Sequence, residues 1–281
     1  MESNVEKLVN LKKDDDEVVR IKDATTRGGE YTEAYSIGYD IFDDAMRGGV
    51  RAGDLVIITG ISGNGKTTYA QNISVNLSKN ALPSLWFSYE VVVDNLYAKF
   101  KEMGVNEEEL LIYVPKRNTS GNIEWIKKKI CEGREKMSTK FIFIDHIDFL
   151  TPSKLSGVDQ RRIILRDICQ ELKTLAIELE VVIFLVAHVK KVQGREVEMQ
   201  DIAESSGIFQ IADYIFSISR IFNIQKMESR KIQMASNKSM VKILKNRPFG
   251  EEPVLQCFFD NNIIKPMEDE LVDTVKSFSN D

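Results

Sequence analysis

From about Tyr35 to Ser219, short apolar runs alternate with longer stretches in which apolar residues recur every three or four positions. The runs predict strands at Leu55–Thr59, Leu85–Tyr89, Leu111–Val114, Phe141–Asp145, Val181–Ala187 and Tyr214–Ser219. The stretches between them predict helices. The clearest spans Arg161 to Leu179, where Ile164, Ile168, Leu172, Leu175 and Leu179 form one buried stripe. A second covers Ile123–Met137, with Lys127, Lys128 and Lys129 on its solvated side, and a third runs from Thr68 to Leu77. Strand–helix alternation of this kind builds βαβ units. The expected fold class is therefore α/β: a central, mostly parallel sheet flanked by helices. After Ser219 the pattern changes. Lys226–Asn237 is polar and reads as a mobile loop, whereas Met240–Leu244 and Val254–Phe259 flank the turn Arg247–Gly250 and read as a C-terminal β-hairpin. Residues 1–34 read as an arm or linker with one short helix, 35–266 as a single domain, and 267–281 as an acidic tail.

Composition adds exclusions. The 281 residues are 43% hydrophobic and 29% charged, an ordinary globular balance. The longest apolar run, Val181 to Ala187, falls far short of the roughly 20 residues that cross a bilayer, so no membrane span is expected. The first twenty residues lack the apolar core of a signal peptide and are too acidic for a transit peptide, which predicts a cytoplasmic protein. Cys131, Cys169 and Cys257 show no C-x-x-C spacing. A disulfide framework or cysteine zinc site is not expected, and the three read as small buried hydrophobes. With only His146 and His188 present, a histidine-rich metal site is excluded as well. The net charge of −5 argues against polyanion binding over the whole surface. Yet Lys226 to Arg247 concentrates Lys226, Arg230, Lys231, Lys238, Lys242, Lys245 and Arg247 against the single acid Glu228.

The most specific chemical signal is Gly60-Ile61-Ser62-Gly63-Asn64-Gly65-Lys66-Thr67, a full G-x-x-x-x-G-K-T between a predicted strand and a predicted helix. Glycines let backbone N–H groups turn inward around a phosphate, and the helix N-terminus adds a favourable dipole. Gly60, Ser62, Gly63, Asn64, Gly65, Lys66, Thr67 and Thr68 are the candidate nucleotide contacts. Lys66 reaches toward terminal phosphates and the Thr67 hydroxyl toward Mg²⁺. ATP and Mg²⁺ are the expected ligands. Asp145 ends the apolar run Phe141–Ile144 at the carboxyl edge of a strand, where open α/β sheets bind ligands, and is a direct or indirect Mg²⁺ partner. Glu90 ends a second such strand. It is either a general base for water or an exposed residue at a strand–loop junction.

Taken in order, several motifs resemble one family. They are Gly53–Thr67, Phe87-Ser-Tyr-Glu90, FIFIDHIDFL (141–150), Val186-Ala-His188, Asp201–Asp213 and Lys245-Asn-Arg247-Pro-Phe-Gly250. Together they are similar to the RecA-like motor of superfamily 4, the DnaB-type replicative helicases with phage and mitochondrial relatives such as Twinkle. The resemblance extends from about Ser36 to Pro266. It implies an ATP-dependent DNA helicase or translocase that works as a homo-oligomeric ring, a hexamer, on single-stranded DNA, with primase or another replication protein as a further partner class. By position it implies that Glu90 is the catalytic glutamate and His188 a γ-phosphate sensor. It also implies that Lys245 and Arg247 reach the ATP of a neighbouring subunit; without it, the two would be read as solvated hairpin charges. Two loops match the family's DNA-facing positions: Thr151–Gln160 with Lys154, and Val189–Gln200 with Lys190, Lys191 and Arg195. Cations there would meet phosphates without reading bases. Two other readings share these motifs: a RecA/RadA/KaiC-like ATPase that does not unwind, and a nucleotide-regulated module that tethers a replication partner.

Overall fold

The computed structural model describes residues 18–25, 27, 29–117, 122–151, 158–188, 208–227 and 230–267. In chain order they form helix α1 (Ile21–Ala24), strand β1 (Ala34–Tyr35), α2 (Asp40–Ala45), β2 (Val50–Arg51), β3 (Leu55–Gly60), α3 (Lys66–Lys79), β4 (Ser84–Ser88), α4 (Val93–Glu102), β5 (Ile112–Tyr113), α5 (Ile123–Met137), β6 (Phe141–Asp145), α6 (Val158–Glu178), β7 (Val182–His188), α7 (Ile208–Ile211), β8 (Tyr214–Met227), β9 (Arg230–Asn246), β10 (Val254–Asp260) and β11 (Ile263–Pro266). Among the described residues, nine strands make one sheet in the order β11-β10-β9-β8-β3-β7-β6-β4-β5. From β8 to β5 every pair is parallel; β8–β9, β9–β10 and β10–β11 are antiparallel. A mostly parallel sheet with a C-terminal hairpin is what the alternating pattern predicts.

The parallel strands are buried on both faces, which is why they read as unbroken apolar runs rather than as alternating ones. Their period of two divides each run between two cores. Val56, Ile58, Trp86, Phe143, Phe184 and Phe216 face α3 and the segment containing Tyr39 and Phe42. Leu55, Ile57, Phe87, Ile144 and Leu185 face α5 and α6, which contribute Ile126, Ile130, Ile168, Leu172 and Leu175. Helices on both sides of one sheet give three layers. On the α3 face, Trp86 stacks on Phe143 with ring centroids 4.8 Å apart, and Phe143 on Phe184 at 4.6 Å, tying β4, β6 and β7 together.

Several expected boundaries change. Helix α3 starts at Lys66 and α6 at Val158, each earlier than its apolar stripe indicates. The strand expected at Leu111–Val114 shrinks to an edge pair, Ser84 with Ile112 and Leu85 with Tyr113. On α5, Lys128 is exposed but Lys127 and Lys129 are half-buried, paired with Glu178 and Glu132. The largest correction concerns Lys226–Asn237. This polar segment is not a loop: β8 continues to Met227, and β9 returns in antiparallel register from Met227–Arg230 to Tyr214–Asn246. An antiparallel ladder satisfies backbone groups whatever the side chains, so a polar ribbon leaves no apolar signature. The short helix expected in the arm is α1, all of whose residues are exposed. Residues 1–17 of the arm and 268–281 of the acidic tail lie outside the described residues.

At the entry end of β3, Asp213 accepts from the Leu55 amide at 2.9 Å and pairs with Lys173 at 2.6 Å. Next to this group, burial pushes the Asp54 carboxyl up to about 7, and Asp213 adds to the rise. The folded chain therefore holds a proton that the unfolded chain releases above its ordinary 3.8. Stability should fall as pH rises through that interval. Asp54→Asn should flatten the slope of melting temperature between about pH 4.5 and pH 7. An unchanged slope would assign the proton elsewhere.

Candidate nucleotide site

The exit ends of β3, β7, β6 and β4 bring the candidate residues together. Gly60, the last residue of β3, lies level with His188, the last of β7, and Ser88 of β4 lies level with Asp145 of β6. Glu90 follows two residues after β4. Between β3 and α3, residues Ile61–Gly65 form the loop. Gly65 has φ +96°, and a Cβ there would stand 2.6 Å from Cζ of Phe259 on β10. Its glycine is required by both backbone angle and space. Gly63, at φ +82°, has open space around it, and Ser62 is exposed. Asn64 is buried and its amide donates to the Ile61 carbonyl at 3.2 Å.

Lys66 is buried and its ammonium donates to the carbonyls of Gly60 at 3.1 Å and Ile61 at 3.2 Å, bringing it inside the loop. Burial lowers its pKa to about 8, against the pull of Asp145 and Glu90. The Thr67 hydroxyl donates to Asp145 Oδ2 at 2.8 Å. The other Asp145 oxygen, Oδ1, is buried without a hydrogen-bond partner among the described residues. Burial raises this carboxyl's pKa, with the Thr67 bond opposing. A buried carboxylate oxygen with no donor, beside a threonine hydroxyl, is a donor set suited to a hard divalent cation. Thr68, next along α3, accepts from the Asn72 side chain through its carbonyl.

His188 is half-buried; burial, with Lys66 nearby, holds its pKa below the ordinary value. Its ring meets that of His146 edge-on, with centroids 4.4 Å apart. His146 has no role that the sequence pattern assigns. Its Nε2 lies 3.8 Å from Glu90 Oε2, and its Nδ1 accepts from the Asp148 amide at 3.2 Å. Its place directly after Asp145 is the one signal that the sequence offers. The three cysteines are free and buried, as expected of small core hydrophobes. No helix among the described residues is long and apolar enough to cross a membrane.

The remaining candidates are elsewhere. Lys245 donates to the carbonyls of Phe209 at 3.0 Å and Gln210 at 2.9 Å, so its ammonium is engaged within its own chain. Arg247 is exposed, and its amide donates to the Asp213 carbonyl. That carbonyl belongs to the residue pinned at the entry end of β3. The five-residue rise from Leu55 to Gly60 is about 16 Å, well beyond the reach of an arginine side chain. Arg247 is thus remote from the P-loop of its own chain. Lys154, Lys190, Lys191 and Arg195 lie outside the described residues, as does Asp201–Gly207.

Residues 97–266, more than half of the chain, match the family described as the DnaB-like helicase C terminal domain. The matched stretch includes Asp145, His146, His188 and Arg247; the P-loop and Glu90 precede it. The DNA repair protein RadA of Streptococcus pneumoniae (strain ATCC BAA-255 / R6) is 28% identical over 150 residues, covering 53% of this chain and 33% of that protein. RadA of Aquifex aeolicus (strain VF5) is 25% identical over 162 residues, covering 58% and 34%. The chain spans about a third of the length of these curated relatives. Among solved structures, a DnaB-like replicative helicase, described with its interactions with primase, superposes with a TM-score of 0.67 at 19% identity, covering 94% of this chain and 71% of that one. A second solved structure, described as an ATPase domain, gives 0.66 at 19% identity, covering 95% and 100%. A KaiC-like protein from Pyrococcus horikoshii OT3 gives 0.61 at 19%, covering 85% and 100%. The fold is that of RecA-like ATPases.

Proposed function

Because the chain belongs to the DnaB-like helicase C-terminal-domain family, we propose that it is the motor domain, residues 35–266, of a ring-shaped ATPase that moves on single-stranded DNA and unwinds duplex ahead of it. The observation that supports this best is the joining of Thr67 to Asp145 at the mouth of a P-loop, with Glu90 and His188 on the flanking strand ends. Lys66 would leave the loop carbonyls for the β- and γ-phosphates, and backbone amides of residues 62–67 would bind the remaining phosphate oxygens. Thr67 and Asp145 would hold Mg²⁺, which supplies charge neutralisation on the phosphates when bound. Glu90 would accept the proton of the attacking water, and neutral His188 would donate to the γ-phosphate. Arg247 would complete the site of the adjacent subunit. With Lys245 engaged in its own chain, Arg247 is the residue of the pair retained for that role. The exposed apolar residues Val18 and Ile21, on and before α1, suit the arm to docking on a neighbouring subunit.

DNA-stimulated ATP turnover and strand displacement on a forked duplex test the reading together. Lys66→Ala should lose nucleotide binding, turnover and unwinding while melting near the wild-type temperature; unchanged nucleotide affinity would reject the P-loop assignment. The likeness to RadA favours a second reading, a DNA-dependent ATPase that does not unwind. Stimulated turnover without strand displacement would select it. Absence of any turnover would select the nucleotide-regulated tether.

A further inference from the structure

Glu90, His146 and His188 arrive from the ends of β4, β6 and β7, and each offers one donor atom within 4.8 Å of the other two. We propose that they form a transition-metal site of the zinc, cobalt and nickel class, separate from the Mg²⁺ position at Thr67 and Asp145. Two imidazole nitrogens and one carboxylate oxygen are a donor set these metals prefer, leaving a fourth position for water. Mg²⁺, which takes oxygen ligands in strict octahedral geometry, is selected against.

The geometry is near what such an ion needs. Donors around tetrahedral zinc stand about 3.3 Å apart at Zn–N distances near 2.0 Å. His146 Nε2 and Glu90 Oε2 are 3.8 Å apart, and the Glu90 side chain, half exposed, has room to close the remainder. The His146 ring is held from behind: Nδ1 faces the Asp148 amide at 3.2 Å and the Asp148 carboxylate at 3.5 Å, which directs Nε2 toward Glu90. A metal on Nε2 would place the single ring proton on Nδ1, which would then exchange the bond it accepts from the Asp148 amide for one donated to the Asp148 carboxylate, the usual outer support of a metal-binding histidine. Local charge also suits a cation, since Glu90, Asp145 and Asp148 outnumber Lys66. The consequence for catalysis rests on the proposed function. An ion here takes Glu90 from water and His188 from the γ-phosphate, so occupancy should inhibit ATP turnover.

The test is a Co²⁺ titration of the metal-free full chain, followed by visible ligand-field absorption and by displacement with Zn²⁺. The His146→Asn variant is titrated in parallel, because its amide oxygen still accepts from the Asp148 amide. Wild type should bind one Co²⁺ per chain, displaced by Zn²⁺ but not by millimolar Mg²⁺. His146→Asn, and independently Glu90→Gln, should bind at least about tenfold more weakly. No Co²⁺ spectrum, or equal affinity in a folded His146→Asn variant, overturns the site. Zn²⁺ should also slow Mg²⁺-dependent ATP turnover in wild type and spare it in His146→Asn. Metal binding without inhibition would uphold the site and count instead against the roles proposed for Glu90 and His188.

Discussion

Arg247→Ala should bind ATP nearly as wild type does and hydrolyse it about 10³–10⁵-fold more slowly, the usual contribution of an arginine finger. The guanidinium counters the negative charge that shifts toward the leaving oxygen as its bond to phosphorus breaks, so it interacts more strongly with the transition state than with bound ATP. Binding should therefore survive its loss while turnover does not. The placement of Arg247 makes the prediction stronger. Its amide is bonded to Asp213 at the entry end of the sheet, a strand's length from the phosphate loop at the exit end. If it acts on ATP at all, the ATP belongs to another subunit. Mixing Arg247→Ala chains with Lys66→Ala chains, each inactive alone, should then restore turnover, because some interfaces pair an intact P-loop with an intact arginine. Co-assembly by mass without recovery would remove Arg247 from the role. Failure of wild type to assemble beyond a monomer would remove the ring.

Glu90→Gln should retain ATP binding and lose about 10²–10⁴-fold in turnover. The amide keeps the size and polarity of the side chain, but it cannot accept a proton from water. Glu90 is half exposed at the site's mouth and faces His146 at 3.8 Å, so its replacement should not disturb the core. The melting temperature should be unchanged within about 0.5 kcal/mol of equivalent stability, as for other surface substitutions. A Gln variant with near-normal turnover would mean that Glu90 is only a residue at a strand–loop junction and that another group orients the water.

The parts of the fold legible in the sequence are those with a physical reason to leave a mark. Strands β3, β6 and β7 are buried on both faces, so their apolar runs predict boundaries within a residue of those observed. The P-loop is legible because each glycine relieves a definite constraint. At Gly65 it is the 2.6 Å approach of Phe259, a residue almost two hundred positions later. The apolar ends of the β8–β9 ribbon, Tyr214–Ser219 and Met240–Leu244, are legible, but its polar extension leaves no mark, since that ladder needs only backbone groups. His146 is hidden for a different reason. Two histidines in a chain are too few to suggest a cluster, and only the parallel pairing of β6 with β7 sets them ring to ring. Lys245 illustrates the opposite limit. Its place in the motif is clear, but its bonds to the Phe209 and Gln210 carbonyls depend on how α7 packs against the end of β9.

Asn72 lies on α3, the helix that begins at the phosphate loop. Its side-chain amide donates to the Asn262 carbonyl at 2.9 Å, and its side-chain oxygen accepts from the Ile264 amide at 2.9 Å. Both partners are in the β10–β11 hairpin, whose Phe259 also presses against Gly65. Because Asn72 is buried, its bonds are costly to leave unmade, about 1–3 kcal/mol for the fully buried one to Ile264. The P-loop helix and the outermost hairpin of the sheet are therefore bolted into one unit. Anything that displaces the helix must carry the hairpin with it or break these bonds, so the outer edge of the sheet is mechanically coupled to the phosphate loop.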